Sequence, residues 1–214
     1  MGAPRVWYVA YGSNLAMDRF RCYLAGGRPA GGAREYPGCR DPSEPLRTVG
    51  AEVPGRLVFA GRSGVWGGGM AFYDSAGPGV VHCRAHLITT QQFADVAAQE
   101  LRRPPGGEFA LDLAGLLPDV ESMVATGPGR YETVVRLGEL DGIATFTITH
   151  HDVGTLPLAA PTAPYLRWIA IGLRESHGYD AARIARYLVD AAGIKGAWTE
   201  AEILALAGSE CAPW

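Results

Sequence analysis

Lysine is almost missing from this 214-residue chain: its 19 basic residues are 18 arginines and Lys195, spread without a run, against 22 acidic residues for a net charge of −3. That balance argues against tight nonspecific binding to nucleic acid, which needs a concentrated basic face. Long apolar runs are missing too. No stretch approaches the roughly 18 to 20 residues that span a bilayer, and Val6 to Ala10, behind the single Arg5, is too short for a secretory signal. Cysteine is sparse, with Cys22, Cys39, Cys83 and Cys211 far apart and no CxxC pair, so a reduced cytoplasmic protein is expected. There is no HExxH, no internal repeat, and Gly61 to Val65 lacks the second glycine of a nucleophile elbow. What remains is a composition 48% hydrophobic and 19% charged, enough apolar residues to fill one core, so one domain over 1–214 is expected.

The strand patterns lie in the first 150 residues. Val6 to Ala10 reads as a short buried strand, and Gly12-Ser13-Asn14 breaks it before a helix with Met17, Phe20, Tyr23 and Leu24 on one side. Residues 26–54 are rich in Gly, Pro and Arg without a period and read as a loop insert, ordered or mobile. Leu57 to Ala60 and Gly69 to Tyr73 read as strands flanking a Gly-rich turn with Trp66, either a tight hairpin or a lid. Val80 to Ile88 alternates, with Val81, Cys83, Ala85 and Leu87 on one face. Thr89 or Thr90 caps a helix ending before Pro104, and residues 104–130 read as loop-rich around an apolar piece at Leu111 to Leu117. Tyr131 to Leu137 and Gly142 to Thr149 form a hairpin about Asp141-Gly142. Helices finish the chain, capped by Thr162, Asp180 (reaching Ala192) and Thr199 with Glu202, and Trp214 reads as exposed. The expected fold is α+β, with a small mixed barrel-like sheet and flanking helices.

Where the first strand hands over to a helix, several backbone N–H groups of Tyr11-Gly12-Ser13-Asn14-Leu15 can converge on one point that attracts anions. Gly12 permits close approach, and Ser13 and Asn14 can cap the helix or bond a carboxylate. Val9 to Leu15 resembles the signature loop of the γ-glutamylcyclotransferase-like family. Leu57-Val58-Phe59, the segment Trp66 to Ala71, the strand Val80 to Leu87 and Pro161 to Leu166 resemble that family's later motifs in order, and Glu100 falls at its catalytic glutamate. The resemblance implies a cofactor-independent γ-glutamyl cyclotransfer without metal. Glu100 would be general base and then acid, the loop Tyr11 to Leu15 would hold substrate carboxylate or oxyanion, and Tyr131 and Tyr165 would line the pocket. The implied partner is a small γ-glutamyl compound; nucleic acid and membrane are not expected partners.

The residues themselves also single out Glu100, which lies seven positions after Phe93 and so shares its face with Val96 and Leu101 beside it. A carboxylate there is expected to have a raised pKa and to move protons near neutral pH, unless it snorkels or pairs with Arg102 or Arg103. Asp95 projects from the opposite side and is expected to be solvated. Two other readings stay open. The family has Leu-Asp before its glutamate and Gly after it, where this chain has Val96-Ala97 and Leu101, which motivates a non-catalytic carboxylate-binding module. His150-His151-Asp152 admits a metal-dependent amide hydrolase or deacetylase if the strand has ended there, because adjacent strand residues point to opposite faces. His82 and His86, four apart on a strand, are separated by about 13 Å and would not chelate one ion.

Overall fold

The structure, a computed structural model, describes residues 3–209; Cys211 and Trp214 lie outside them. Strand β1 (Arg5–Ala10) is apolar after its first residue because both of its faces are covered. Val6, Tyr8 and Ala10 pack with Phe20, Phe93 and Phe146 on one side, while Trp7 and Val9 pack with Leu166, Ile169 and Leu173 on the other. β1 pairs antiparallel with β5 (Val80–Thr89) and parallel with β8 (Ile143–Thr149). With β2 (Arg47–Pro54), β6 (Met123–Ala125) and β7 (Thr133–Leu140) they form a mixed six-stranded sheet of order β2-β5-β1-β8-β7-β6. β3 (Arg56–Ala60) and β4 (Met70–Asp74) form a separate antiparallel pair. It is tied to the end of β8 by Thr149, whose hydroxyl donates to Tyr73 O at 2.7 Å and accepts from Tyr73 N–H at 3.1 Å.

Helices α1 (Met17–Ala25), α2 (Thr90–Glu100) and α3 (Glu108–Leu116) cover one face of the sheet. Helices α4 (Ala163–His177), α5 (Ala181–Val189) and α6 (Glu200–Gly208) cover the other, so the expected α+β arrangement of a mixed sheet with flanking helices is what forms. Capping follows local chemistry: Thr89 with Gln92, and Thr199 with Glu202, close reciprocal capping boxes, and Asp180 accepts from Arg183 N–H. Thr162 is the N-cap residue of α4, as expected, but its side chain makes no capping bond, because its hydroxyl donates to Trp66 O at 3.0 Å and pins the Gly-rich turn instead. Neither Ser13 nor Asn14 caps α1; the chain makes a single 3₁₀ turn over Ser13–Leu15, and Ala16 is the N-cap. α5 stops at Val189, short of the expected Ala192.

The insert at 26–54 is not all loop. Its last eight residues are the edge strand β2, registered along β5 from Arg47 opposite Leu87 to Pro54 opposite Val80. Residues 104–130 likewise contain α3, a 3₁₀ turn and β6. The preceding stretch of the insert overturns the expectation for Asp95, which is fully buried. Arg40 folds over α2 and its guanidinium and backbone N–H both bond the Asp95 carboxylate, at 3.0 Å or just beyond, while Gly106 N–H adds a third donor at 2.8 Å. Gln92 and Gln99 on the same side are buried too, bonding Ser43 O and Tyr23 O. From Gln92 to Gln99, helix α2 is therefore buried on every side, apolar against the sheet and polar against the insert.

Candidate functional site

A cavity of about 570 Å³ opens at the end of β1, where the chain turns through Tyr11-Gly12-Ser13-Asn14. The turn is held from behind by α4. Gly172 lies so close that a β-carbon there would stand 2.5 Å from Ala16 N and nearer still to Leu15. Leu15 is fully buried in that contact and does not line the cavity, and its N–H is spent on Gly12 O at 3.0 Å. The Ala16 N–H is likewise taken by Ser13 O. Of the loop residues named from the sequence, Tyr11, Gly12, Ser13 and Asn14 do reach the cavity wall. Tyr11 sends its hydroxyl to Ile148 O at 2.6 Å, and Asn14 Nδ2 donates to the Tyr8 hydroxyl at 3.1 Å.

Glu100, last residue of α2, lines the same cavity and is the one carboxylate among the described lining residues. The Tyr23 hydroxyl donates directly to its Oε1. Burial pushes the Glu100 pKa up, partly offset by that hydrogen bond and by the nearby Arg19 and Arg34. Five arginines, Arg19, Arg34, Arg62, Arg102 and Arg130, line the same space, so the wall carries a positive excess. None of them forms an ion pair with Glu100 among the described residues.

Tyr131 and Tyr165 both line the cavity, but each hydroxyl grips the backbone of Ala71. Tyr131 donates to Ala71 O at 2.8 Å and Tyr165 accepts from Ala71 N–H at 3.2 Å. A β-carbon at Gly12 would stand 3.0 Å from the Tyr165 hydroxyl, so glycine is what lets the loop pass so closely. Burial raises the Tyr165 pKa to about 12. Trp66 tilts over the Tyr165 ring at 5.6 Å and closes that side.

The histidine pair gathers away from this cavity, around a different acid from the one expected. His150 Nδ1 and His151 Nδ1 each lie 2.8 Å from an oxygen of Glu132, and His151 N–H adds a third bond at 2.9 Å. β8 has ended at Thr149, which is why neighbouring histidines can turn to one carboxylate. Burial of Glu132 works against its charge, yet these donors hold its pKa down at about 2. Asp152 is not part of the group: its backbone O instead accepts from Thr155. Among the described residues, Glu132, His150 and His151 are the one set whose ligand atoms, all within 4.8 Å, could hold a metal.

Sequence reasoning missed Arg19, Tyr23 and Tyr36 as cavity residues. The signal was present in part, since Arg19 and Tyr23 lie four apart and so on one face of α1; Tyr36 comes from the aperiodic insert and had none.

No protein-family model matches the chain. Histone deacetylase 5 of Arabidopsis thaliana is 34% identical over 185 aligned residues, covering 79% of this chain, and the chain spans only 28% of the length of that curated relative. Among solved structures, a γ-glutamyl cyclotransferase superposes with a TM-score of 0.52 at 15% identity, over 95% of this chain and 98% of that one. A human protein described only as uncharacterized gives a TM-score of 0.49 at 18% identity, over 81% and 80% of the two chains. By its fold, this chain is γ-glutamylcyclotransferase-like.

Proposed function

We propose that the chain is a γ-glutamyl cyclotransferase acting on a small γ-glutamyl compound. The observation that carries this reading is the half-buried Glu100, held by Tyr23 and lining one cavity of small-molecule size together with the Gly12-Ser13-Asn14 turn. In the proposed reaction, the Glu100 carboxylate takes a proton from the substrate α-ammonium. The freed nitrogen attacks the γ-carbonyl carbon of the same molecule, forming the ring C–N bond and an oxyanion. With Leu15 and Ala16 N–H already committed, Gly12, Ser13 and Asn14 are the loop's candidate donors to that oxyanion. The protonated Glu100 then gives its proton to the departing nitrogen as the original C–N bond breaks, and the ring nitrogen passes its extra proton through the regenerated carboxylate to the released amine, leaving 5-oxoproline and an ammonium.

A raised pKa suits both transfers, because the group binds and releases a proton closer to neutral pH than a solvated carboxylate does. Tyr131 and Tyr165 act in this scheme by fixing β4 and the cavity wall through Ala71.

The test is 5-oxoproline release from a panel of γ-glutamyl compounds by wild type, by Glu100→Gln and by wild type with a chelator. Release that survives chelation and falls by about 10²-fold or more in Glu100→Gln is expected. Activity abolished by the chelator, or undiminished in Glu100→Gln, contradicts the scheme.

A further inference from the structure

Arg19 is a buried cation whose local partners do not use up its donors. It is 2% exposed, yet it lines the cavity. Its guanidinium carbon stands 4.6 and 4.5 Å from the ring centroids of Tyr23 and Tyr36, which are themselves 4.5 Å apart, so both rings pack against it from one side, with Trp66 at 5.8 Å. Nη2 donates to the Tyr36 hydroxyl at 2.7 Å. Nε and Nη1 have no hydrogen-bond partner among the described residues, which leaves three N–H groups unused. Arginine keeps its charge at any working pH, and a buried guanidinium with idle donors is costly unless something anionic completes it. Glu100 does not complete it, since the two form no ion pair and Glu100 bonds the Tyr23 hydroxyl instead.

With Nη2 taken by the Tyr36 hydroxyl, the unpartnered Nε and Nη1 are the donors left to an anion, and a carboxylate accepts from such groups in charge-assisted hydrogen bonds. Tyr23 also links the two charged groups, carrying Glu100 on its hydroxyl and Arg19 against its ring. A ligand that places an amine at Glu100 therefore has a cation close by.

We propose that Arg19 is the anchor for the substrate's α-carboxylate, reading the zwitterionic amino-acid head together with Glu100. In a γ-glutamyl compound one carbon bears both the α-amine and the α-carboxylate, so an amine at Glu100 brings its carboxylate to the neighbouring guanidinium. The loop N–H groups are then left for the γ-carbonyl oxygen. Arg19 thus becomes a specificity residue for a free α-carboxylate, in place of an amide or ester there. The inference rests on the cyclotransferase reading of this cavity.

The test compares two ligands on the unaltered protein, 5-oxoproline and its neutral carboxamide, by calorimetric titration. It is repeated on Arg19→Gln and Arg19→Lys. Wild type is expected to bind 5-oxoproline at least about tenfold more tightly than the carboxamide. Arg19→Gln should lose that preference, Arg19→Lys should keep part of it, and for a turned-over substrate KM should rise more than kcat falls. Equal binding of the two ligands by wild type, absence of binding by either included, overturns the assignment without depending on whether a variant folds. A folded Arg19→Gln that keeps the preference overturns it as well. The two readings fail separately. A carboxylate preference without 5-oxoproline formation sinks the cyclotransferase and keeps the anchor. Turnover indifferent to replacing the α-carboxylate by an amide sinks the anchor and keeps the cyclotransferase.

Discussion

Glu100 occupies a position that stability alone would not choose. Its burial raises its pKa, so the folded state holds the proton more tightly than the unfolded chain does, and the stability it contributes declines as pH climbs from the ordinary carboxylate range through the raised value. Glu100→Gln removes that decline. Thermal unfolding of the two proteins across pH should therefore show the variant gaining on wild type as pH rises, while 5-oxoproline formation collapses. A melting difference that stays constant or reverses with pH would contradict the burial argument. In the same terms, the acidic limb of the wild-type rate profile should lie above the usual carboxylate range, because the base form of Glu100 appears only as pH passes its raised pKa. The sequence spoke clearly about this residue, since its seven-residue spacing from Phe93 placed it on an apolar face. It spoke wrongly about Asp95. The helical wheel put Asp95 on the far side, but nothing in the local pattern showed that Arg40, 55 residues away, would come to cover it. Tyr131 and Tyr165 were legible as cavity residues, though not as the two hydroxyls that share Ala71.

Two contacts between elements set the site's shape. The first is the crossing of α4 behind the loop, where Gly172 leaves no room for a side chain beside Leu15 and Ala16. Gly172→Ala is expected to cost about 1–3 kcal/mol by forcing helix and loop apart. Denaturant unfolding reads the loss, and kcat should fall with it because the Gly12 to Asn14 donors move. The second is the insert against α2. Arg40→Ala would leave the fully buried Asp95 without its guanidinium and is expected to cost about 3 kcal/mol. Asp95→Asn in the Arg40→Ala background should recover part of that loss, since the neutral side chain no longer needs a counter-charge; a double mutant no better than the single would refute the ion-pair account. At this scale the regular elements were readable wherever periodicity and caps agreed, as for α2, α6 and the hairpin β7-β8. β2 was not, because its glycine and proline hide the alternation and its strand character comes from pairing with β5, whose partners lie 26 to 40 residues later.

For the molecule as a whole, the sheet with helices on both faces leaves a cavity where β1 ends, and both the loop and α2 place their candidate site residues there. The loop motif announced that arrangement in the sequence. The positive lining did not announce itself, because its five arginines come from α1, the insert and three separate turns. No helix among the described residues is long and apolar enough to cross a membrane. The central claim, that the substrate's own amine is the nucleophile, is tested most directly by following a γ-glutamyl dipeptide by NMR during incubation with the wild-type protein. The account predicts 5-oxoproline and the released amino acid in equal amounts, with no free glutamate. Glutamate as the product would mean that water, and not the α-amine, attacks the γ-carbonyl, and would contradict it.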